Sequence, residues 1–468
     1  MILSEQCQSA AEPYRLVVLR QQRTELLLAT IGEQLSLPWV EVRGGQRLAE
    51  ALTTAMKQKW GCQPICLFMP TVALPPEHDT QPYYHVMECC DHAGEHDRRI
   101  RAVKVASLLP DLFSEPSDYA AISESLAQCE SLKSGKGEGS FAAAGWFQNL
   151  LAWAQATVSP LGLRLSESFC QLNATPTFSL IRFSTDGAAV WFKAVGKPNL
   201  QEFSVTLALA ELFPQYLPPI LGTRPEWNGW LALEVPGRSL GESRERQPWL
   251  RAAAELASLQ IDAIGKQTRL LAAGARDLRH FTLRRLLPPF FEVMAQLMER
   301  QSKSVPLPLA RDEIQLLEEG VQDALSLTRE LNIPDTIGHL DLNPGNILVA
   351  AASCTFLDWA EAYIGNPFFS FAYLQEHLRR SGAEPALQAQ LRSVYAESWR
   401  SVIGRERLEE ALRLAPLLAA FAYAAGSGAW SDEDKLRQSA TAGYLRSLTR
   451  RMSREAAKLK QRRLSCPS

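Results

Sequence analysis

The chain has 468 residues, more than one hydrophobic core usually organises, so two or three domains are expected. Its 46% hydrophobic and 21% charged residues are those of a globular protein, and 49 basic against 51 acidic residues leave a net charge of −2, so nothing points to a polyanion and no nucleic-acid partner is expected. Nine scattered cysteines, an N-terminus without a basic and apolar leader pattern, and no run of eighteen apolar residues set the expectation of a cytoplasmic protein with free thiols and no membrane span.

Tyr14 to Leu19 and Thr24 to Thr30, joined by the polar Arg20-Gln21-Gln22-Arg23, read as a hairpin, and Pro38 to Arg43 as a third strand broken by Gly44-Gly45. Leu48 to Trp60 has apolar residues at 48, 49, 52, 55, 56 and 60, the period of an amphipathic helix, stopped by Gly61. Strands at Ile65 to Met69, Tyr83 to Cys89 and Ile100 to Ala106 and a helix at Asp118 to Leu132 complete a small α+β domain over residues 1–132. This order of hairpin, strand, Gly-containing loop, helix and strand is similar to the Nudix hydrolase fold. The Nudix helix gathers Mg²⁺ with the carboxylates of R-E-x-x-E-E. With Gly61 aligned to the motif's closing glycine, those positions are Thr54, Ala55, Gln58 and Lys59, none of which binds a metal, and only Glu50 and Gly44-Gly45 echo the pattern. The resemblance therefore implies a degenerate, non-hydrolytic relative. Cys89, Cys90, Asp91, His92 and His96 make a metal-like cluster, but adjacent cysteines and a missing C-x-x-C spacing favour a strand end running into a polar loop.

Ser131 to Ser140, rich in Gly, Ser and Lys, reads as a flexible linker, and the helix from Ala142 to Val158 presents Trp146, Phe147, Leu150, Leu151 and Trp153 as a docking face; together they span residues 133–160. Phe178 to Ser184 and Ala188 to Ala194 flank the turn Thr185-Asp186-Gly187, a hairpin signal because D-G supplies the positive φ angles of tight turns. Lys193 ends the second of these strands. Gln201 to Phe213 is helical and offers Glu202 and Glu211, which at 100° per residue lie on opposite faces. Trp230 to Val235 is an apolar strand, and from Pro248 helices dominate: Trp249 to Ile261, Leu278 to Gln301, Arg311 to Asn332, Pro367 to Arg380, Pro385 to Ile403, Leu408 to Tyr423 and Asp432 to Lys460. The Arg/Lys run in the last of these is the solvated face and dipole-matched end of a helix.

Between the third and fourth of those helices lies Ile337 to Trp359. His339, Asp341 and Asn346 fall at the spacing H-x-D-x-x-x-x-N, followed by the apolar Ile347-Leu348-Val349 and a second short run that delivers Asp358-Trp359. The residues suit phosphoryl transfer: Asp341 is a carboxylate able to orient an attacking hydroxyl and take its proton, and Asn346 and Asp358 supply hard oxygen ligands for Mg²⁺.

At these residues the chain resembles the aminoglycoside phosphotransferase and choline kinase branch of the protein-kinase-like fold, whose catalytic loop reads H-x-D-x-x-x-x-N-I-L and whose metal-binding segment reads I-D-W. The likeness runs from about Phe178 to Ala372. It implies a bilobal domain, with a small β lobe over 161–235 and a mainly helical lobe over 236–468. It further implies Asp341 and His339 as catalytic residues, and Lys193 in V-W-F-K-A as the lysine on the ATP phosphates. Glu202 is the preferred carboxylate to hold that lysine, with Glu211 in reserve. Backbone groups near Glu234 and Val235 are implied on the adenine edge, and Asn346 and Asp358 on Mg²⁺. The alternative for Lys193 is a solvated lysine at a strand end.

Two departures stand out. The segment Gln171 to Thr177 has no G-x-G-x-x-G, and Gly365 to Ala372 carries Asn366 and Ser370 where the family commonly has acids. These departures support a second reading, a pseudokinase-type nucleotide-binding regulator or scaffold, beside the leading one of an ATP-dependent kinase for a hydroxyl on a small molecule. For the acceptor, Glu361, Glu376, Asp432, Glu433 and Asp434 offer an acidic wall to a polycation and are equally explained as solvated helix faces. Phe368, Phe369, Phe371, Trp430 and Tyr444 are candidates for either core or acceptor contacts.

Overall fold

The computed structural model describes residues 11–72, 83–89, 99–131 and 139–465. The chain divides into two compact units, Met1–Phe203 with Pro219–Glu234 and Ser204–Pro218 with Val235–Ser468.

The first unit opens with β1 (Ala11–Arg20), β2 (Glu25–Ile31), β3 (Gln34–Ser36), β4 (Trp39–Arg43), α1 (Leu48–Trp60), β5 (Ile65–Phe68), β6 (Tyr83–Glu88), β7 (Ile100–Lys104) and α2 (Pro116–Ser131). The strands form one mixed sheet in the order β3-β2-β1-β6-β5, with β4 added to β1 and β7 to β2; β1 runs parallel to β6 and antiparallel to β2 and β4. Alternation along β1 buries both faces. Leu16 and Val18 pack with Leu52, Met56 and Trp60 of α1, while Val17 and Leu19 pack on the other side with Ala121 and Ile122 of α2.

The second face continues without a break into the rest of this unit: α3 (Trp146–Val158), β8 (Leu165–Thr175), β9 (Phe178–Thr185), β10 (Val190–Ala194), the start of α4 (Gln201–Leu212), β11 (Ile220–Arg224) and β12 (Gly229–Leu233). The strands make a five-stranded sheet ordered β11-β12-β10-β9-β8. Trp146, Phe147, Leu150, Ala154 and Val158 of α3 lie in one cluster with Val17 and Leu19 of β1 and with Phe183 and Phe192 of β9 and β10. Burying a side chain of this size stabilises by roughly 1.5–3 kcal/mol, so α3 is the shared core of the two sheets and not a surface clasp. Side chains stitch the same seam. The Gln171 amide accepts from the Cys66 N–H at 2.7 Å and donates to the Cys66 carbonyl at 3.1 Å, and Gln63 Nε2 donates to the Phe169 carbonyl at 2.7 Å.

The absence of a Gly-rich loop has a structural counterpart. Strand β8 and β9 close through Pro176-Thr177, with Thr175 paired to Phe178 and its hydroxyl accepting the N–H groups of Thr177 and Phe178 at 3.3 and 3.0 Å.

The second unit contains most of α4, then β13 (Arg238–Ser239), α5 (Arg246–Asp262), α6 (Gln267–Ala272), β14 (Arg276–Leu278), α7 (His280–Glu299), α8 (Arg311–Glu330), β15 (Thr336–His339), β16 (Ile347–Val349), β17 (Cys354–Phe356), β18 (Ala362–Gly365), α9 (Phe368–Arg380), α10 (Pro385–Ile403), α11 (Arg405–Gly426), α12 (Glu433–Arg437) and α13 (Ser439–Ser465). Two small sheets, β13-β16-β17 and β14-β18-β15, sit among the helices. The single helix expected from Asp432 to Lys460 is divided at Gln438, where the backbone turns extended (φ −73°, ψ 118°). Phe368, Phe369, Phe371 and Trp430 belong to the core, which removes them from the acceptor candidates.

Among the described residues no helix is long and apolar enough to cross a membrane. Cys62, Cys66, Cys89, Cys129, Cys170 and Cys354 are free thiols, all buried except the half-buried Cys170. Of the metal-like cluster at 89–96 only Cys89 is described; the other four residues, and most of the linker reading at 131–140, lie outside the described residues.

Candidate active site

The turn between β15 and β16 is built around the carbonyl of Asp341. The Asn343 N–H donates to it at 2.8 Å and the Asn346 side-chain amide at 3.0 Å, while Asn343 Oδ1 accepts the Gly345 N–H at 2.9 Å and so starts the short turn Pro344–Asn346. His339 is buried beneath. Its Nδ1 accepts the Asp341 N–H at 3.1 Å, which puts the ring proton on Nε2, 3.1 Å from the Leu357 carbonyl. Burial pushes this imidazole below its ordinary pKa, against the pull of the Leu357 carbonyl and of the Asp358 and Asp341 charges, so the ring is neutral near pH 7. With both nitrogens engaged, His339 has none left to carry a proton to a reacting group. It fixes the backbone that presents the Asp341 carboxylate.

Asp358 enters from the opposite side at the end of β17. The Leu357 N–H donates to the Asn346 carbonyl at 2.8 Å, which ties the two oxygen-bearing segments together. Asp358 itself adopts the left-handed conformation, φ 63° and ψ 61°. Such a conformation costs on the order of 1–3 kcal/mol for a residue with a Cβ and persists where surrounding structure imposes it, commonly at functional sites.

The two replaced acids have taken defined places. Ser370 Oγ, fully buried on the first turns of α9, accepts the His339 N–H at 2.8 Å and meets the Tyr363 hydroxyl at 3.2 Å. Asn366 Oδ1, one residue before the N-cap Pro367, accepts the N–H of Phe368, the first residue of α9, at 2.9 Å. A neutral hydroxyl thus holds the His339 end of the loop. Gly338 is part of the same construction, because a Cβ there would lie 2.0 Å from the Tyr363 ring that crosses β15.

One neighbour was not among the sequence candidates: the Tyr373 hydroxyl donates to Asp341 Oδ1 at 3.3 Å. Burial, then the Asp341 charge, push its pKa up, so it is a donor. Its signal was the helical period, since position 373 follows Ser370 by three residues on one face of α9. Glu361 lies in electrostatic reach of Asp341 and Asp358; burial and then those two charges raise its pKa, and Arg276 pairs with both its carboxylate oxygens and opposes the rise.

In the first unit Lys193 Nζ lies 2.5 Å from Glu202 Oε1 and 5.8 Å from the Trp230 ring centroid. Glu202 is 2% exposed, and Glu211 instead pairs with Arg269 in the second unit. The Glu234 side chain is taken by Arg182, at 2.6 and 2.8 Å, and by Trp191 Nε1 at 2.9 Å; its pKa is lowered chiefly by the Arg182 hydrogen bonds. Its N–H donates to the Ala189 carbonyl at 2.8 Å, so of the adenine-edge candidates the Glu234 carbonyl and the half-buried Val235 backbone remain.

Among the described residues no group of three or more His, Cys, Asp or Glu side chains gathers as a metal site. The Asn346 amide nitrogen is committed to the Asp341 carbonyl, so its side-chain oxygen is the atom that would serve as a hard donor, together with the Asp358 carboxylate; Mg²⁺ characteristically takes one or two protein oxygens and completes its shell with phosphate and water.

Residues 200–411 match the phosphotransferase enzyme family. No curated protein matches the sequence. Among solved structures, the chain is similar to a choline kinase from Cryptosporidium parvum (14% identity, TM-score 0.48, covering 68% of this chain and 97% of that one). It is also similar to a macrolide 2'-phosphotransferase from Brachybacterium faecium (16%, 0.39, 64% and 98%) and to an ethanolamine kinase from Plasmodium vivax (11%, 0.42, 73% and 92%). At these scores the structural likenesses carry no weight for what the chain binds or phosphorylates.

Proposed function

We propose that the protein is an ATP-dependent phosphotransferase that phosphorylates a hydroxyl on a small molecule, with Mg²⁺ as the metal. The observation that carries this reading is the anchoring of Asp341: its N–H is held by His339, its carbonyl by Asn343 and Asn346, and its carboxylate already accepts a hydroxyl hydrogen bond from Tyr373. A carboxylate held this way is a preorganised general base, able to orient an alcohol and take its proton as the oxygen attacks phosphorus. Asn346 and Asp358 would hold Mg²⁺, which supplies charge neutralisation on the triphosphate. Lys193, oriented by Glu202, would pair with the α and β phosphates, and the Val235 backbone would meet the adenine edge. His339 and Ser370 act as positioning residues. The protein-kinase-like bilobal architecture belongs to the same reading, as does a degenerate Nudix-like domain over residues 1–132 that performs no hydrolysis: Thr54 and Gln58 of α1 are exposed and carry no charge.

The pseudokinase alternative drew on the missing Gly-rich loop and the two replaced acids. Ser370 weakens it, since that hydroxyl anchors the loop. The test is transfer of labelled γ-phosphate from MgATP to a panel of hydroxylated metabolites and antibiotics. Phosphorylation that disappears in Asp341→Asn supports the kinase, and MgATP binding with no transfer to any acceptor supports the pseudokinase.

A further inference from the structure

Each carboxylate that the sequence offers as a wall for a polycation has a basic neighbour. Arg276 binds Glu361; Arg379 and Arg380 donate to Glu376 at 2.6–2.8 Å; Arg437 takes Asp434 at 2.7 Å and Glu433 at 3.4 Å; Asp432 caps α12 and faces Lys435 at 3.4 Å.

A different surface begins at Asp341. Tyr373, whose hydroxyl donates to Asp341 Oδ1, stacks on Tyr423 with ring centroids 5.8 Å apart, and the Tyr444 hydroxyl donates to that of Tyr423 at 3.3 Å with the two rings edge-on. The row leads from the carboxylate to a cavity of about 330 Å³ between the end of α11 and the start of α13. Its wall includes Tyr423, Tyr444, Leu445, Leu448, Ala429 and Ala440 and contains no charged side chain. Tyr444 is 51% exposed, so an aromatic face stands open to solvent beside it.

We propose that the tyrosine row and this cavity seat the acceptor, and that the acceptor is an uncharged alcohol carried on an apolar ring or chain. The inference rests on the phosphotransferase reading of Asp341. An apolar body gains by leaving water for such a wall, whereas a cation entering the cavity would lose hydration against a lining without a charged side chain. The Tyr373 hydroxyl marks the end of the row at the Asp341 carboxylate, to which the incoming alcohol donates its own hydrogen bond. Its proton then passes to Asp341, its oxygen bonds to the γ-phosphorus, and the bond from that phosphorus to the bridging oxygen breaks with release of ADP.

The test uses the full chain, MgATP and two acceptor classes: benzyl alcohol and cyclohexylmethanol against choline and kanamycin. The expected result is a kcat/KM at least tenfold higher for the uncharged pair. Ala440→Trp, which fills the cavity from an exposed helix position, should raise their KM at least tenfold, with MgATP binding by calorimetry as the check on folding. Preference for choline or kanamycin, or an unchanged KM in Ala440→Trp, overturns the inference. A chain that binds MgATP and transfers phosphate to neither class overturns it while nucleotide binding stands; a chain that neither binds MgATP nor transfers phosphate overturns the phosphotransferase reading itself.

Discussion

Two stretches of the chain carry the outline of metal-dependent phosphate chemistry, the turn from His339 to Asp358 and the helix α1, and they differ in what surrounds the oxygens. At the turn the Asp341 N–H and carbonyl both have partners, and the residues that supply them are themselves fixed: Asn343 by its own turn, His339 by Leu357 and by Ser370. On α1 the corresponding positions are Thr54, Ala55, Gln58 and Lys59, and Lys59 lies over the Trp39 ring at 3.0 Å. Glu50, the one acid that echoes the pattern, faces the Cys170 thiol at 3.8 Å. A helix alone supplies no metal ligand; under the proposed reading the held turn at Asp341 does, and α1 has no counterpart to it.

The comparison breaks most sharply at Asp341. Asp341→Asn preserves the shape and the Tyr373 contact and removes the proton acceptor, so kcat should fall by roughly 10²-fold or more while MgATP affinity holds. An asparagine variant with normal turnover would remove the distinction between the two regions. Asp358→Ala is expected to abolish the Mg²⁺ dependence of ATP binding in calorimetry, since the triphosphate would then meet Asp341 with one fewer metal ligand. Glu50→Ala, made as its counterpart on α1, should leave both measurements unchanged.

Lys193→Met leaves Glu202 as a buried carboxylate without its cation, which costs about 3–5 kcal/mol where such pairs are broken. The Lys193→Met/Glu202→Leu double variant should recover most of that stability in a denaturant titration and none of the nucleotide affinity. Recovery of both would make the pair structural only. Ser370→Ala takes the acceptor away from the buried His339 N–H, for which about 1–3 kcal/mol of stability is expected to be lost, together with a lower kcat at unchanged KM for ATP.

The smallest effect concerns Glu376. Burial alone would raise its carboxyl, but hydrogen bonds from Arg379 and Arg380 and the charge of Arg451 hold it down to about 2. A carboxyl with a depressed folded-state pKa stabilises above its unfolded value, about 4.3, and that contribution is lost as pH falls from there toward 2. Since Arg379 is largely exposed, the effect is about 1 kcal/mol or less. Glu376→Gln should show a shallower loss of thermal stability over that window than the parent protein.

What the sequence by itself determined is what depends on spacing and periodicity. Most of the helices, the hairpin at Thr185-Asp186-Gly187, the H-x-D-x-x-x-x-N turn and the missing acids of α1 are local in the chain, and local patterns write themselves into composition, whereas β8 and β11 carried no such signal. Three things needed the folded molecule. That α3 is a core shared by two sheets follows from Val17 and Phe183 lying in one cluster with it, although they lie 166 positions apart in the numbering. That Ser370 replaces an acid as the anchor of His339 follows from the crossing of α9 behind β15. That Arg276 pairs with Glu361 and that Tyr373, Tyr423 and Tyr444 form a row beside Asp341 depends on side chains that meet only in the folded chain, whereas the basic partners of Glu376, Asp432, Glu433 and Asp434 lie three or four residues away in sequence. Charges and hydroxyls choose partners by distance in space, and distance in space is fixed by the packing of the apolar faces around them.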